Sequence, residues 1–152
     1  MKSVKVLFLH GLEGTPEGSK PKFLRRNGIK VIAPSLPKDN WGLSVQRAMD
    51  CFENFEPDFV VGSSRGGAIA AAIPTAEVPK ILIAPAWKKF TVTDPMVDTT
   101  TTILHCEDDD LVSFADSVDL KRDYGCELIE CGLNHRMSDK EALENLLNVI
   151  ID

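Results

Sequence analysis

The sequence predicts a three-layer α/β/α sandwich built around a mainly parallel sheet of about six strands. Short apolar segments rich in β-branched residues alternate with longer segments whose apolar residues recur at helical spacing. Glycine and proline separate most of these segments, as they do at the ends of strands and helices. A regular alternation of strands and helices indicates a parallel sheet with helices on both faces, and its connections should be right-handed crossovers.

The first half of the chain contains three predicted strands and two predicted helices. The strands cover residues 4–9, residues 30–34 and a short apolar segment that begins at residue 59, and the helices cover residues 41–55 and a segment that follows Ser19 and ends at about residue 26. Ser19 is the expected N-cap of the first helix, and Gly28 stops it. Pro34 limits the second strand at its end, and Pro57 ends the second helix.

The second half continues the same alternation. The predicted strands cover residues 80–85, 101–105 and 126–131, and the predicted helices cover residues 65–72, 113–124 and a final segment from residue 138 onward. Residues 90–100 show no periodicity and are predicted to form a crossing loop. We expect Ser138 to cap the last helix, with Glu141 completing a capping box.

Composition limits the class of protein. The chain has 152 residues, 43% of them hydrophobic and 26% charged, which is typical of a globular protein with one domain, here residues 1–152. The net charge of −6 argues against nucleic acid and anionic membranes as partners. No apolar run approaches a membrane span, and the N-terminal residues resemble no signal peptide. A cytoplasmic location is therefore expected, with no prediction for the oligomeric state.

The four cysteines show no C-x-x-C spacing, so they predict neither a zinc ribbon nor a thioredoxin-type site. We expect all of them to be buried, reduced thiols. Cys126 and Cys131 lie five residues apart on one predicted strand and should therefore point to opposite faces of the sheet.

One stretch, from residue 59 to residue 72, carries the strongest functional signal. A β-branched apolar strand is followed by Gly62-x-Ser64-x-Gly66 and then by an alanine-rich helix, the pattern of a nucleophile elbow. Small residues on both sides let neighbouring backbones pass close to a sharp turn. Ser63 has bulkier residues at the same two offsets, so the register selects Ser64 as the nucleophile. The helix that begins after Ser64 directs free N–H groups at it.

Polar residues follow several of the predicted strands at their carboxyl ends. These residues are His10-Gly11-Leu12, Ser64, the acidic turn 107–110 and His135. Parallel strands bring their carboxyl ends to one edge of the sheet, where ligands bind in this class of fold. The four groups are therefore expected to face one crevice.

These motifs resemble the α/β-hydrolase superfamily. Its order of nucleophile, acid and histidine is matched by Ser64, an aspartate in the run 108–110, and His135. Residues 10–12 resemble the family's His-Gly oxyanion loop, and residues 105–109 resemble its His-Gly-x-x-Asp turn, with cysteine where glycine is usual. The likeness covers nearly the whole chain and is greatest to small members without a cap domain, which implies a minimal α/β-hydrolase fold.

The resemblance implies a serine hydrolase that cleaves a small ester, thioester or amide through an acyl-enzyme. Ser64 would be the nucleophile, His135 the general base and Asp109 the acid of a catalytic triad. The backbone N–H groups of Leu12 and Arg65 would bind the oxyanion. The partner would be a small acyl substrate, and no metal or organic cofactor is expected.

The choice among the three aspartates follows the family's spacing. The family places its acid four residues after the histidine of the turn and three before a hydrophobic residue, and His105, Asp109 and Val112 fit both offsets. Asp108 fails the first offset. Like charges would also repel if all three entered one pocket, so Asp110 and Asp108 should point to water, where Asp110 is available to help start the next helix.

Substrate contacts are harder to assign. Trp41, Trp87, Phe90 and Met96 lie in or near loops on the crevice side, and Trp87 and Trp41 are predicted to line an acyl pocket. Such residues also commonly cover the core.

Alternative readings remain open. The chain could be a non-catalytic member of the same fold that binds a ligand or a protein. A nucleotide-binding domain is disfavoured because the first loop is not G-x-G-x-x-G and no P-loop lysine occurs. A metal site formed by the three histidines and an aspartate lacks the local ligand spacing that such sites show. His10 and His105 are instead expected to shape their own turns.

Overall fold

The computed structural model describes residues 3–12 and 14–152, in which parallel strands alternate with helices along most of the chain. The strands are β1 (Lys5–Leu9), β2 (Lys30–Ile32), β3 (Phe59–Ser63), β4 (Lys80–Ile83), β5 (Thr102–His105) and β6 (Glu127–Glu130). The helices are α1 (Ser19–Arg26), α2 (Trp41–Phe55), α3 (Arg65–Ala72), α4 (Phe114–Tyr124) and α5 (Lys140–Ile151). All strand pairs are parallel, and the six strands lie in the order β2-β1-β3-β4-β5-β6. The predicted fold class is confirmed.

Helices cover both faces of the sheet, and alternate residues of each strand point to opposite faces, so the central strands bury side chains on both sides. In β1, Leu7 and Leu9 enter one core, whereas Val6 and Phe8 enter the other. Helices α2, α3 and α4 contribute to the first core, and α1 and α5 contribute to the second. We call these two sides the α2–α4 face and the α1–α5 face.

The strand order places β3 between β1 and β4 near the middle of the sheet. The chain runs from β1 to the edge strand β2 and then returns past β1 to β3, so the direction of winding reverses between β1 and β3. In open parallel sheets this reversal opens a crevice at the carboxyl ends of the strands. The loops that follow β1 and β3 therefore meet where a ligand has access.

Two predicted helix caps are wrong. The N-cap of α1 is Gly18, and Ser19 is the first helical residue. The N-cap of α5 is Asp139 rather than Ser138, because the Asp139 carboxylate accepts the N–H of Ala142 at 3.2 Å. The expected capping box does not form, since Glu141 instead accepts the backbone N–H of Gly132 at 2.8 Å.

Other boundaries follow the predictions more closely. Residues 90–100 contain no helix or strand, as predicted, whereas β2 ends at Ile32, two residues earlier than expected. Helix α4 is capped by the Ser113 side chain, which accepts the N–H of Ala115 at 3.2 Å, so Asp110 does not provide the cap. None of the helices in the described part of the chain is long and apolar enough to span a membrane.

The cysteines are free thiols, and three of them are buried. Cys126 and Cys131 enter opposite cores, as predicted, and burial raises the pKa of both thiols to about 11. Cys51 is only half-buried because it lies on α2, whose fully buried residues are Ser44 and Ala48. The prediction of burial is therefore wrong for Cys51.

Candidate active site

The connection between β3 and α3 is a sharp turn with Ser64 at its tip. Ser64 has a φ of 56° and a ψ of −115°, a conformation that residues other than glycine rarely adopt. Backbone hydrogen bonds hold it there: its N–H donates to Ile83 O at 2.9 Å, and its carbonyl accepts the N–H of Ala86 at 3.0 Å. Ser64 is partly exposed, whereas Ser63 is buried within the strand.

The glycines around the turn leave no room for a side chain. A Cβ on Gly66 would lie 1.9 Å from the carbonyl oxygen of Leu9, and a Cβ on Gly62 would lie 2.3 Å from the carbonyl oxygen of Gly66. Backbone atoms of β1, β3 and α3 therefore pass one another at distances that only glycine permits. This close approach is the physical reason for the Gly-x-Ser-x-Gly spacing.

Replacing Gly66 with alanine should lower the free energy of unfolding by more than about 4 kcal/mol, because the added methyl group would overlap the Leu9 carbonyl. Urea denaturation followed by circular dichroism measures the effect. Gly42→Ala is the matched control: a Cβ there meets only Asn40 Oδ1 at 3.8 Å, so it should be neutral or stabilise α2 by up to about 1 kcal/mol. Wild-type stability for Gly66→Ala would contradict this account of the turn.

Three of the predicted site residues form one chain of hydrogen bonds. Ser64 Oγ lies 2.9 Å from His135 Nε2, and His135 Nδ1 lies 2.7 Å from Asp109 Oδ2. A charged carboxylate only accepts hydrogen bonds, so Nδ1 of His135 carries the proton. In neutral His135, Nε2 is then free to accept the hydroxyl proton of Ser64. The structure thus brings together residues 71 positions apart, Ser64 and His135.

Asp109 is held in a dedicated pocket of hydrogen-bond donors. Its Oδ1 accepts the N–H groups of Leu111 and Val112, each at 2.8 Å, and its Oδ2 faces His135. Burial alone would raise the pKa of Asp109, but the N–H of Val112, the His135 side chain and the N–H of Leu111 together lower it below the ordinary value. The carboxylate is therefore charged at neutral pH.

The neighbouring aspartates do not share this pocket. Asp108 and Asp110 are both exposed, whereas the side chain of Asp109 is fully buried. The tight turn separates them, since the N–H of Asp109 donates to Cys106 O at 3.1 Å and directs only the middle carboxylate inward. Asp109 is the member of the acidic run that contacts His135.

His105 also contacts the carboxylate of Asp109. Its ring is completely buried, and Nε2 lies 3.1 Å from both Asp109 Oδ2 and the carbonyl oxygen of Val112. Its Nδ1 lies 2.7 Å from Ser117 Oγ. Burial lowers the pKa of His105 despite the nearby charge of Asp109, so the ring is neutral and Nε2 donates. His105 shapes its turn, as expected, and also positions the carboxylate.

The loop after β1 packs directly against the serine turn. A Cβ on Gly11 would lie 3.1 Å from Ser64 Cβ and 3.8 Å from Arg65 N, so the backbone before Leu12 approaches the start of α3. His10 anchors this loop, because its Nε2 accepts the N–H of Leu36 at 3.0 Å. The two predicted oxyanion donors, at Leu12 and Arg65, thus belong to neighbouring backbone segments beside Ser64.

The Arg65 side chain points away from this position. It is almost fully buried and donates to Pro37 O at 3.1 Å and Ser44 Oγ at 3.2 Å. Its guanidinium lies 5.6 Å from the ring centres of both Trp41 and Phe90. Only the backbone of Arg65 is therefore available near Ser64.

A cleft of about 770 Å³ opens above Ser64. Its walls come from the loops after β1, β3, β4, β5 and β6 and from the start of α1. Apolar contacts are provided by Phe8, Leu12, Pro21, Ala86, Phe90, Leu111 and Val112, and charged side chains by Lys20, Lys89 and Arg136. A cleft of this size accommodates a small organic substrate.

The two tryptophans predicted to bind substrate do not line this cleft. Trp41 stacks on Phe90, with ring centres 5.6 Å apart and planes inclined by 8°. Trp87 Nε1 donates to Asp116 O at 3.0 Å. Both indoles pack against the core of the α2–α4 face, so neither forms part of the walls of this cleft.

Sequence reasoning missed the basic residues of the cleft. Lys20, Lys89 and Arg136 resemble ordinary surface charges in the sequence, and no motif contains them. Their positions in the sequence could have indicated a place near the site. Arg136 directly follows His135, and Lys20 lies at the start of the helix after the first loop. Leu111 and Val112, which also line the cleft, follow the acidic turn.

No family model and no curated protein matches this sequence, but solved structures match most of it. Est1E from Butyrivibrio proteoclasticus has a TM-score of 0.72 at 14% identity, covering 98% of this chain and 86% of that chain. MGS-MChE2, an α/β hydrolase enzyme from a sediment metagenome of the Mar Chica lagoon in Morocco, has a TM-score of 0.69 at 16% identity, with coverage of 97% and 90%. XC6422 from Xanthomonas campestris, a member of the α/β serine hydrolases without a lid, has a TM-score of 0.72 at 16% identity, with coverage of 97% and 78%.

These structural similarities identify the fold. The parallel sheet, the flanking helices and the serine turn after β3 make this an α/β-hydrolase fold. Identities of 14% and 16% establish the fold alone. The chemistry has to be argued from the residues of this chain.

Proposed function

We propose that this protein is a serine hydrolase that cleaves a small ester, thioester or amide through an acyl-enzyme on Ser64. The observation that carries the proposal is the hydrogen-bonded chain Ser64–His135–Asp109, with distances of 2.9 and 2.7 Å. A serine hydroxyl is a weak nucleophile until a base removes its proton, and a base needs an orienting partner. The base and its orienting partner both lie within hydrogen-bond distance of the next group in this chain, and Ser64 and His135 line the cleft, which supports the proposal.

In the proposed reaction, Ser64 Oγ attacks the acyl carbon while its proton passes to His135 Nε2. The charged Asp109 carboxylate stabilises the imidazolium and holds the ring in the required tautomer. His135 then gives this proton to the departing alcohol, thiol or amine. Water, activated by the same histidine, attacks the acyl-enzyme and releases the acid with regeneration of Ser64.

The tetrahedral intermediates carry a negative oxygen, which the backbone N–H groups of Leu12 and Arg65 would bind. The approach of Gly11 to Ser64 and Arg65 supports this assignment, since it brings both backbone segments close to the nucleophile. Arg65 also begins α3, so its N–H is among those left without an intrahelical partner.

A fluorophosphonate probe tests the proposal, because it reacts with serines that a base has activated. The wild-type protein should be labelled at Ser64, and Ser64→Ala should remove labelling while thermal unfolding stays close to wild type. Ser63→Ala is the matched control, since Ser63 is buried in β3 and should leave labelling intact.

Absence of labelling in the folded wild-type protein would contradict the catalytic proposal and favour a non-catalytic binding role. Labelling that survives in Ser64→Ala but disappears in Ser63→Ala would show that the nucleophile is assigned to the wrong serine. Mass spectrometry of the labelled peptide separates the two serines directly.

A further inference from the structure

The cleft above Ser64 has an unusual charge for this protein. The chain carries a net charge of −6, yet the charged side chains on the described walls of the cleft are Lys20, Lys89 and Arg136. No carboxylate from residues 3–12 or 14–152 lines it. A positive cleft in an acidic protein attracts and orients anions.

Two of these cations are held side by side. Lys20 Nζ donates to the carbonyl oxygen of Arg136, and Lys20 is only 8% exposed. Within the described residues, neither side chain forms an ion pair. Burial and the charge of Arg136 lower the pKa of Lys20 to about 8, which Asp139 only partly offsets. Two positive charges that lie close together raise the electrostatic free energy of the site, and a bound anion lowers it.

Asp139 is the acidic group whose charge acts on Lys20, and both of its oxygens accept backbone hydrogen bonds. Oδ1 accepts the N–H of Leu133 at 3.0 Å, and Oδ2 accepts the N–H of Ala142 at 3.2 Å. It serves as the N-cap of α5 and does not line the cleft. The Lys20–Arg136 pair therefore keeps a net positive charge where it lines the cleft.

The pair is attached to the loop that carries His135, because Lys20 Nζ donates to the carbonyl oxygen of Arg136. Arg136 directly follows His135 in the chain, and Lys20 belongs to α1, which covers the α1–α5 face together with α5. In serine hydrolysis the histidine protonates the leaving group, so that group must lie against His135. Lys20 and Arg136 are thus placed to contact the alcohol or thiol part of a substrate.

The rest of the cleft is suited to an apolar acyl group. Leu12, Phe90, Leu111 and Val112 supply side chains from the other loops, and Leu12 and Leu111 are 43% and 57% exposed. Burying such exposed apolar surface against an acyl chain is favourable. Lys89 belongs to the loop after β4, whose neighbours Trp87 and Phe90 pack on the α2–α4 face, away from the Lys20–Arg136 pair.

We propose that the substrate has an apolar acyl group and an anionic leaving group, an alcohol or thiol bearing a carboxylate or phosphate that binds Lys20 and Arg136. This inference rests on the proposed serine hydrolase function. In the acylation step the bond from Ser64 Oγ to the acyl carbon forms and the bond to the leaving oxygen or sulfur breaks. His135 transfers the proton from Ser64 to the leaving atom, and no other reactant is needed.

Matched acetyl esters test the inference. The leaving groups are 4-hydroxybenzoate and 4-hydroxyphenyl phosphate, which are anionic, and 4-hydroxybenzamide, which is neutral, each rate being corrected for hydroxide-catalysed hydrolysis. We expect wild-type kcat/KM to be at least about tenfold higher for an anionic ester than for the neutral one, and this ratio to fall in 0.5 M NaCl because salt screens the attraction. Comparison of the two anions shows which acidic group the site prefers.

Variants locate the anion. Arg136→Gln should lower the anionic-to-neutral ratio about tenfold, and because Arg136 is exposed the variant should fold. Lys20→Gln should also lower the anionic-to-neutral ratio. Lys22→Gln is the matched control, since Lys22 is exposed on the same helix and does not line the cleft, so the ratio should stay at its wild-type value.

Two results would overturn the inference: a wild-type ratio near one, or a ratio unchanged in both Arg136→Gln and Lys20→Gln. A ratio lost only in Lys89→Gln would also overturn it, by placing the anion on the opposite face. If a labelled enzyme cleaves none of the esters, phenyl phosphate should still slow fluorophosphonate labelling at lower concentrations than phenol, and equal protection would refute the anion site. Failure of labelling itself would instead refute the serine hydrolase function.

Discussion

Replacing His135 with alanine should lower the turnover of an activated ester such as p-nitrophenyl acetate by about 10⁶-fold, the scale of loss when another serine hydrolase loses its histidine. Without His135, no side chain among residues 3–12 and 14–152 hydrogen-bonds to Ser64 Oγ to accept its proton, because the 2.9 Å contact of that oxygen is with His135 Nε2. Release of nitrophenolate under saturating substrate measures the loss.

The variant should remain folded, which makes the result interpretable. In His135→Ala the Asp109 carboxylate keeps His105 Nε2 on one oxygen and the N–H groups of Leu111 and Val112 on the other, so the buried charge stays hydrogen-bonded. Leu133→Ala is the control from the same loop: Leu133 is 75% exposed and does not line the cleft, so turnover should be near wild type.

The other histidines provide a second comparison. His10→Ala and His105→Ala should lower stability or activity but should still permit labelling of Ser64, because each ring holds a loop rather than the nucleophile. If His135→Ala retains turnover while one of these variants loses all labelling, the base has been assigned to the wrong histidine.

Replacing Asp109 with asparagine should lower turnover by about four orders of magnitude, the loss seen for this change in another serine hydrolase. The hydrogen bonds explain why. Asp109 Oδ1 accepts two backbone N–H groups, so the amide oxygen of asparagine must stay there and its NH₂ group must face His135 Nδ1. Nδ1 then has to accept, the ring proton moves to Nε2, and His135 no longer accepts the proton of Ser64.

The same amide would also face the Nε2–H of His105, so the variant should lose one buried hydrogen bond, worth about 1 kcal/mol. Asp108→Asn and Asp110→Asn are matched controls on either side, both exposed, and their turnover should stay within a few-fold of wild type. Near-wild-type turnover for Asp109→Asn, with either neighbour crippled instead, would mean that the acid is a different member of the run.

The elements of the fold could be predicted because their signals are local. Helix α2 begins at Trp41 and ends at Phe55, as its apolar spacing indicated, and the helix after the serine turn ends at Ala72 as predicted. The two wrong helix caps and the early end of β2 all lie at element boundaries. Gly18 and Asp139 replace Ser19 and Ser138 as N-caps, since several residues near a helix start are able to cap it and the path of the preceding loop selects one.

The serine turn could be predicted from the sequence because the steric requirement that defines it involves residues close together in the chain. Gly62 and Gly66 are needed where backbones would overlap any Cβ, and this requirement appears directly as a spacing around Ser64. The approach of Asp109 to His135 was anticipated through the resemblance of residues 105–109 to an acid turn. Composition and periodicity alone left the three aspartates equivalent.

The sequence by itself therefore determined the alternating fold, the position of Ser64 in its turn and the order along the chain of the residues that contact it. The tertiary structure decided which side chains line the cleft. Lys20 and Arg136 are 116 positions apart, and Trp41 stacks on Phe90 rather than entering the cleft. Such contacts depend on how loops from separate strands pack at the edge of the sheet, and no local pattern encodes that packing, because each residue alone is compatible with either an exposed or a buried position.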